Sequence, residues 1–170
     1  MGQGVTPIET QRLLLRRLLP VDEDALAAVL SDAAAMRWYP APLTLKEVRE
    51  WIERQRDRYP SGSGLMGVVE KQTGRLIGDC GTVWQEVDGR AELEVGYHVN
   101  RECWNQGFAT EAAKATIECA FNRPGVDHVI SLIRPENVQS RRVAEKNGLT
   151  VNRSTFWRGY NHFVYELWKK

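Results

Sequence analysis

The sequence predicts an α+β fold, a mixed and mostly antiparallel sheet with helices on both faces. Two stretches near the start carry apolar residues three and four apart, the spacing of amphipathic helices. A block of short β-rich runs cut by glycine turns follows, which is the pattern of an antiparallel meander. After residue 100 the chain alternates helix, strand and helix, then ends in two further β-rich runs.

In order, "TQRLLLRRL" (10–18) reads as an opening strand flanked by arginines. "PVDEDALAAVLSDAAAM" (20–36) reads as a helix, with Asp22 near its start and Leu26, Val29 and Leu30 on one stripe. "TLKEVREWIERQRDRY" (44–59) opens with Thr44 and Glu47 at capping-box spacing, then places Val48, Trp51, Ile52 and Gln55 at helical intervals. "PSGSG" (60–64) is a loop too short to link two domains. From Leu65, "LMGVVEKQTGRLIGDCGTVWQEVDGRAELEVGYHV" reads as three antiparallel strands turning at "QTG" and "VDGR". The next helix runs from about Ala109 to Phe121, with Ala109, Ala112, Ala113, Thr116, Ile117 and Ala120 on one face. "HVISLI" (128–133) is a buried strand, and "ENVQSRRVAEKNG" (136–148) a short helix stopped at "NG". The tail from Thr150 reads as a closing hairpin. The predicted order is β-α-α-β-β-β-α-β-α-β-β, one domain over residues 1–170 without internal repeats.

Composition narrows the function. A chain of 170 residues with 42% hydrophobic and 26% charged residues can bury a proper core and is globular rather than disordered. A net charge of +1 supplies no basic field, so neither nucleic acid nor an anionic membrane is an expected partner. With Glu9, Arg12, Arg16 and Arg17 in the first twenty residues no signal peptide is expected there, and no later run is long enough to span a bilayer. Cys80, Cys103 and Cys119 read as reduced thiols of a cytoplasmic protein, and His98, His128 and His162 are scattered. No metal site is expected.

"WNQGFATEAA" (104–113) carries the chemistry. Glycine at 107, just ahead of a helix, lets backbone approach a phosphate where a Cβ would obstruct it. The first amides of that helix have no internal partners, and the macrodipole places positive partial charge there. The segment therefore reads as an anion cradle, with a plain turn as the bland alternative. It is not a P-loop, since no Gly-Lys-Ser/Thr follows, and no Gly-x-Gly-x-x-Gly is present. A diphosphate held mainly by backbone is what remains.

Taken together, "ETQRLLLRRL", "TLKEVREWIERQ", "RLIGDCG", "ELEVGYHVNRECWNQGFATEA" and "NVQSRRVAEKNGL" resemble, in this order and spacing, the GNAT acetyltransferases of the RimJ/RimL-like group. The resemblance spans nearly the whole chain. It implies a GNAT-type fold with a sheet splayed in the middle, and acetyl-CoA as co-substrate. It implies that Asn105, Gln106, Gly107, Phe108, Ala109 and Thr110 hold the pyrophosphate of coenzyme A. It implies also that Tyr97, His98 and Val99, on the strand from Glu94, carry the acetyl-pantetheine arm. Such an arm has two amides, so a free strand edge can pair with it as with another strand. For this the strands near Tyr97 and near Leu132 must splay, and an exposed N–H there can stabilise a developing oxyanion.

Many members of the wider superfamily place a tyrosine seven residues after the helix-opening asparagine; here Asn137 is followed at that distance by Ala144. The RimJ/RimL-like group has a serine three residues after it, and Ser140 stands there. The resemblance thus points to Ser140 as proton donor to the leaving thiolate and to Asn137 as a pantetheine contact, with helix capping as the alternative for both. A further basic contact falls on Arg142, or on Arg141 or Lys146. For the general base Glu94 is the first candidate, Glu92 and His98 the others, each with a solvated or structural alternative. Leu149 stands where the group usually has phenylalanine, Trp104 reads as support beneath the cradle, and Trp38, Tyr39, Trp51 and Trp157 are candidates to wall an acceptor pocket. The expected activity is direct transfer to a primary amine, a peptide N-terminus or a small amine, by a monomer or homodimer. The competing readings are a silent CoA-binding sensor and a nucleotide-binding protein of another class.

Overall fold

The computed structural model describes residues 4–170. Eight strands form one sheet: β1 (Ile8–Glu9), β2 (Leu13–Arg16), β3 (Gly64–Glu70), β4 (Leu76–Val87), β5 (Arg90–Val99), β6 (His128–Ile133), β7 (Thr150–Trp157) and β8 (Tyr160–Trp168). Their spatial order is β1-β2-β3-β4-β5-β6-β8-β7. Every neighbouring pair is antiparallel except β5 and β6. The helices are α1 (Glu23–Leu30), α2 (Leu45–Arg58), α3 (Phe108–Phe121) and α4 (Val138–Lys146).

Helices cover both faces, as the alternating pattern predicts. On one side Leu26, Val29 and Leu30 of α1 and Val48 and Ile52 of α2 close a core with Leu18, Met36 and Leu76. On the other, Ala113, Ile117 and Ala120 of α3 pack on Leu93 and Val95 of β5 and on Val129 and Ile133 of β6. The alanines on α3 let it lie close to the sheet, and Phe108 and Ala112 extend the contact to Leu13, Met66 and Cys80.

Local signals are realised closely in places. Thr44 accepts the Glu47 amide at 3.2 Å while Glu47 returns a bond to the Thr44 amide at 2.7 Å, so the capping box forms. The β4–β5 turn takes Asp88 and Gly89 at positive φ, the backbone that "VDGR" announces. Elsewhere the structure corrects the prediction. The helix expected over 20–36 stops at Leu30, because the Leu43 amide takes the Leu30 carbonyl at 2.8 Å and the Ser31 hydroxyl donates to the Leu43 carbonyl. The opening strand is shorter than 10–18, and β1 is an addition, a two-residue ladder too short to show alternation.

The parting of the sheet matters most for function. β5 stays paired with β4 as far as Val99, and β6 stays paired with β8 as far as Ile133. Between β5 and β6 the register is a single pair, Glu94 with Ile130. Beyond it the strands separate on the stretch holding Tyr97 and Leu132.

Thr44→Ala should lower unfolding free energy by about 1 kcal/mol, read as a reduced urea midpoint at unchanged m-value. An unchanged midpoint would show that α2 is fixed by packing alone.

Candidate active site

The gap between β5 and β6 has a defined backbone polarity. The Asn100 amide bonds the Ile77 carbonyl, so in this antiparallel pair the even-numbered residues of β5 spend their main-chain groups on β4. The odd-numbered Val95, Tyr97 and Val99 turn theirs toward the gap. Two of those carbonyls are already taken: Ser131 Oγ donates to Val95 at 3.0 Å, and the Trp104 indole donates to Val99 at 2.8 Å. The amides of Tyr97 and Val99 remain as an open edge.

Side chains follow the same period of two. Tyr97 lies on the α3 face, where its hydroxyl donates to the Ser140 carbonyl at 3.2 Å. Burial pushes this phenol's pKa up, so it stays neutral. His98 and Glu94 lie on the α1–α2 face. His98 Nδ1 is 2.6 Å from Asp79 Oδ1, and Asp79 Oδ2 accepts the Trp51 indole N–H at 2.9 Å. The Tyr39 and Trp51 rings lie 5.0 and 5.7 Å from the imidazole. Burial raises the Glu94 carboxyl above its usual range, although Gln85, at 3.0 Å, and the Leu132 amide work in the opposite sense.

At the mouth of the gap α3 begins. Gly107 is its N-cap at φ 81°, and Asn105 also takes a left-handed backbone at φ 59°. No side chain caps the helix, so its first amides face open space rather than an internal acceptor. The turn is held from behind by a residue of β2's leading edge: Arg12 donates from Nη1 to the Gln106 carbonyl at 2.8 Å and from Nε to Glu111 at 2.7 Å, with its guanidinium 4.4 Å from the Phe108 ring. Thr10 Oγ1 and the Arg12 amide complete the ring around Glu111. Burial opposes ionisation of Glu111, but these hydrogen bonds outweigh it and hold the carboxyl below its ordinary range.

On α4, Asn137 does two things at once. Its Oδ1 accepts the Ser140 amide at 3.2 Å, capping the helix, and its Nδ2 donates to Ser140 Oγ at 3.1 Å. The Ser140 oxygen is thereby used as acceptor and its proton stays free to be donated elsewhere. Asn147, at the end of α4, donates to the Thr110 carbonyl at 3.2 Å and ties the two helices together.

One cavity of about 590 Å³ joins these parts. It is lined by Tyr97, His98, Val99, Asn105, Gly107, Phe108, Ala109, Thr110, Asn137, Ser140 and Arg142, eleven of the positions that the sequence singles out. Phe108 itself is buried, which leaves its backbone as the contribution to the wall. Gln106 is exposed and outside the lining, its side chain bonded to the Glu102 carbonyl. Glu94 is also outside it, at the point where the strands part. Glu92 is engaged with His128 Nε2 at 2.6 Å and Arg153 at 3.5 Å. Arg141 is tied to Tyr165 and to the Pro135 carbonyl, whereas Arg142 and Lys146 line the cavity with no carboxylate partner among the described residues. Trp38 and Tyr39 line it too, while Trp51 holds Asp79 and Trp157 donates to the Glu86 carbonyl. The Asp79–Trp51 support and the Arg12 brace were not read from the sequence; pairing "GDC" with "GYH" across the meander is the signal that brings Asp79 to His98.

Residues 12–150 match the model of the acetyltransferase (GNAT) domain. The chain belongs to that family, and its enzyme class is N-acetyltransferase. YkkB of Bacillus subtilis (strain 168) is 33% identical over 151 residues, covering 88% of either chain. Among solved structures, a GNAT-family acetyltransferase from Bacillus anthracis aligns with a TM-score of 0.81 at 24% identity, covering 96% of this chain and 98% of the other. The RimL ribosomal L7/L12 alpha-N-protein acetyltransferase, solved in complex with coenzyme A, aligns with a TM-score of 0.78 at 17% identity, covering 96% and 98%. Those two likenesses concern the fold. Among the described residues no group of metal-ligating side chains is assembled, and no helix is long and apolar enough to cross a membrane.

A depressed Glu111 carboxyl stabilises the folded chain above its ordinary pKa of 4.5, and that contribution disappears as pH falls through the lower folded value. Glu111→Gln should therefore have a lower Tm at neutral pH and a flatter decline on acidification below about pH 5. A variant curve running parallel to that of the native protein would show that Glu111 titrates alike in both states.

Proposed function

We propose that this chain transfers acetyl from acetyl-CoA directly to a primary amine in a ternary complex, in the manner of the RimJ/RimL-like group. The observation that carries the reading is a cavity linking an uncapped helix start to an open strand edge. The pieces fit the donor. The first amides of α3, with Gly107 and Asn105 before them, suit a pyrophosphate, and Arg142 and Lys146 suit a further phosphate. The free amide edge at Tyr97 and Val99 suits the two amides of a pantetheine arm.

Bound acetyl-CoA supplies an activated acyl group as a thioester. The chain's own residues do the rest. The Tyr97 and Val99 amides orient the arm, and an amide in the gap donates to the acyl oxygen as negative charge develops on it. Ser140, its oxygen already accepting from Asn137, turns its O–H to the departing sulfur. On the opposite face Glu94 adds negative charge that draws a cationic amine toward the gap, and Trp38 and Tyr39 wall its approach. The three free thiols at Cys80, Cys103 and Cys119 suit a reducing cytoplasm; burial pushes that of Cys80 up to about 12, which keeps it inert. The acceptor is a peptide N-terminus or a small amine; an α-amino group, with a pKa of about 7.7–8.0, gives up its proton more readily than a lysine at about 10.4.

Acetyl-CoA should raise Tm, while ATP and NAD at equal concentration should not; equal shifts by all three would discard the reading. Ser140→Ala should lower kcat roughly 100-fold while leaving the dissociation constant for coenzyme A within a factor of two. Turnover at the native rate would remove Ser140 from the chemistry.

A further inference from the structure

Among the described residues, His98 is a cavity residue with a buried polar atom that lacks a partner. Its Nε2 is buried and has no hydrogen-bond partner, although the residue lines the cavity. Buried ring nitrogens are ordinarily satisfied, so an orphan at the wall of a cavity is a place kept for something that enters. The other nitrogen is firmly engaged. Nδ1 lies 2.6 Å from Asp79 Oδ1, in a residue with no solvent exposure, and Asp79 is itself oriented by the Trp51 indole. A carboxylate at that distance accepts a hydrogen bond from Nδ1–H, the tautomer that in a neutral imidazole leaves the lone pair on Nε2.

We propose that His98 is the general base of the reaction, taking the proton that the acceptor amine must lose. The assignment rests on the transfer reading given above. In the step, His98 Nε2 accepts one proton from the entering ammonium and becomes imidazolium, opposite Asp79. The freed nitrogen bonds to the acyl carbon as the carbon–sulfur bond breaks, and the second proton it sheds passes to the sulfur by way of Ser140. His98 then releases its proton to water. The balance is an acetylamide, a free thiol and one proton from an ammonium and a thioester.

Three features favour this residue over Glu94. The Glu94 carboxylate already receives Gln85 and the Leu132 amide, and it stands outside the cavity, whereas His98 stands in its wall with an empty acceptor. The rings of Tyr39 and Trp51 lie 5.0 and 5.7 Å from the imidazole, and aromatic π faces attract a cation. The ionisable surroundings also suit a base that turns positive. Asp79 faces it from β4, Glu94 acts on it along β5, Tyr39 lies beside it from the segment after α1, and α2 contributes the uncharged Trp51. Across the cavity stand Ser140 and Arg142 of α4, and the neutral Tyr97 hydroxyl is turned to Ser140.

Two measurements test the proposal on the intact protein. Nitrogen NMR of histidine-labelled protein at neutral pH should show His98 protonated on Nδ1 and bare on Nε2, with the Nε2 signal moving when n-butylamine is added to the coenzyme A complex. A His98 protonated on Nε2 would overturn the assignment. In steady-state transfer from acetyl-CoA to n-butylamine, His98→Gln should lose about 100-fold in kcat and the acid limb of the pH profile, with coenzyme A affinity within a factor of two. Asp79→Asn, which keeps the imidazole but removes its orienting charge, should lose at least about 10-fold and shift the same limb. An unchanged limb in His98→Gln, or a limb abolished by Glu94→Gln instead, rejects His98 while leaving the transfer reading intact. Absence of any coenzyme A binding to the native protein rejects that reading, and the base assignment falls with it.

Discussion

The site depends on a sheet that is whole on either side of one line and open along it. β5 is satisfied by β4 over its length and β6 by β8, so each half holds together without the other. The pair Glu94–Ile130 pins the halves at one end and lets them diverge toward the other. Unpaired strand groups cost about 1–3 kcal/mol each when buried without a partner. That cost is partly met inside the protein, by Ser131 on Val95 and by Trp104 on Val99. The amides left over at Tyr97 and Val99 form an open strand edge.

An opening of this kind needs a frame, and the frame is made by residues distant in sequence. Arg12 reaches from the start of β2 to the Gln106 carbonyl and to Glu111 in the first turn of α3. Asn147 joins the end of α4 to Thr110, and the Tyr97 hydroxyl joins β5 to Ser140. The beginnings of α3 and α4 are therefore fixed relative to the same strand. Preorganised amides act well only when they cannot turn to bond each other, and this bracing prevents them from doing so.

How legible this was in the sequence follows the range of each interaction. The start of α3, the Asn137–Ser140 pair and the Thr44–Glu47 box rest on residues within a few positions of one another. Their order along the chain also carries the family resemblance, which is why the cavity gathers most of the residues singled out beforehand. Glu94 and Gln106 were drawn from the same run, but Glu94 shares the face of His98 at the point where β5 still meets β6 and is bonded by Gln85, while Gln106 turns to the Glu102 carbonyl. The Arg12 brace and the Asp79 support were not legible, because each depends on the register of strands rather than on spacing. The early end of α1 has the same origin: Leu43, from the following segment, takes the carbonyl that a continuing helix would use.

The period of two along β5 then divides the work. Its odd residues give their backbone to the gap and their side chains to the α3 face, so the Tyr97 hydroxyl reaches the Ser140 carbonyl. Its even residues give their backbone to β4 and their side chains to the α1–α2 face, where His98 meets Asp79, Tyr39 and Trp51 and Glu94 meets Gln85. That face is acidic and aromatic. Under the proposed transfer, donor and acceptor would approach one strand from opposite sides, with the gap as the place where the two faces communicate. A one-residue slip of β5 against β4 would exchange every one of these roles. The long β4–β5 ladder, from Gly78–Val99 to Val87–Arg90, is what forbids that slip.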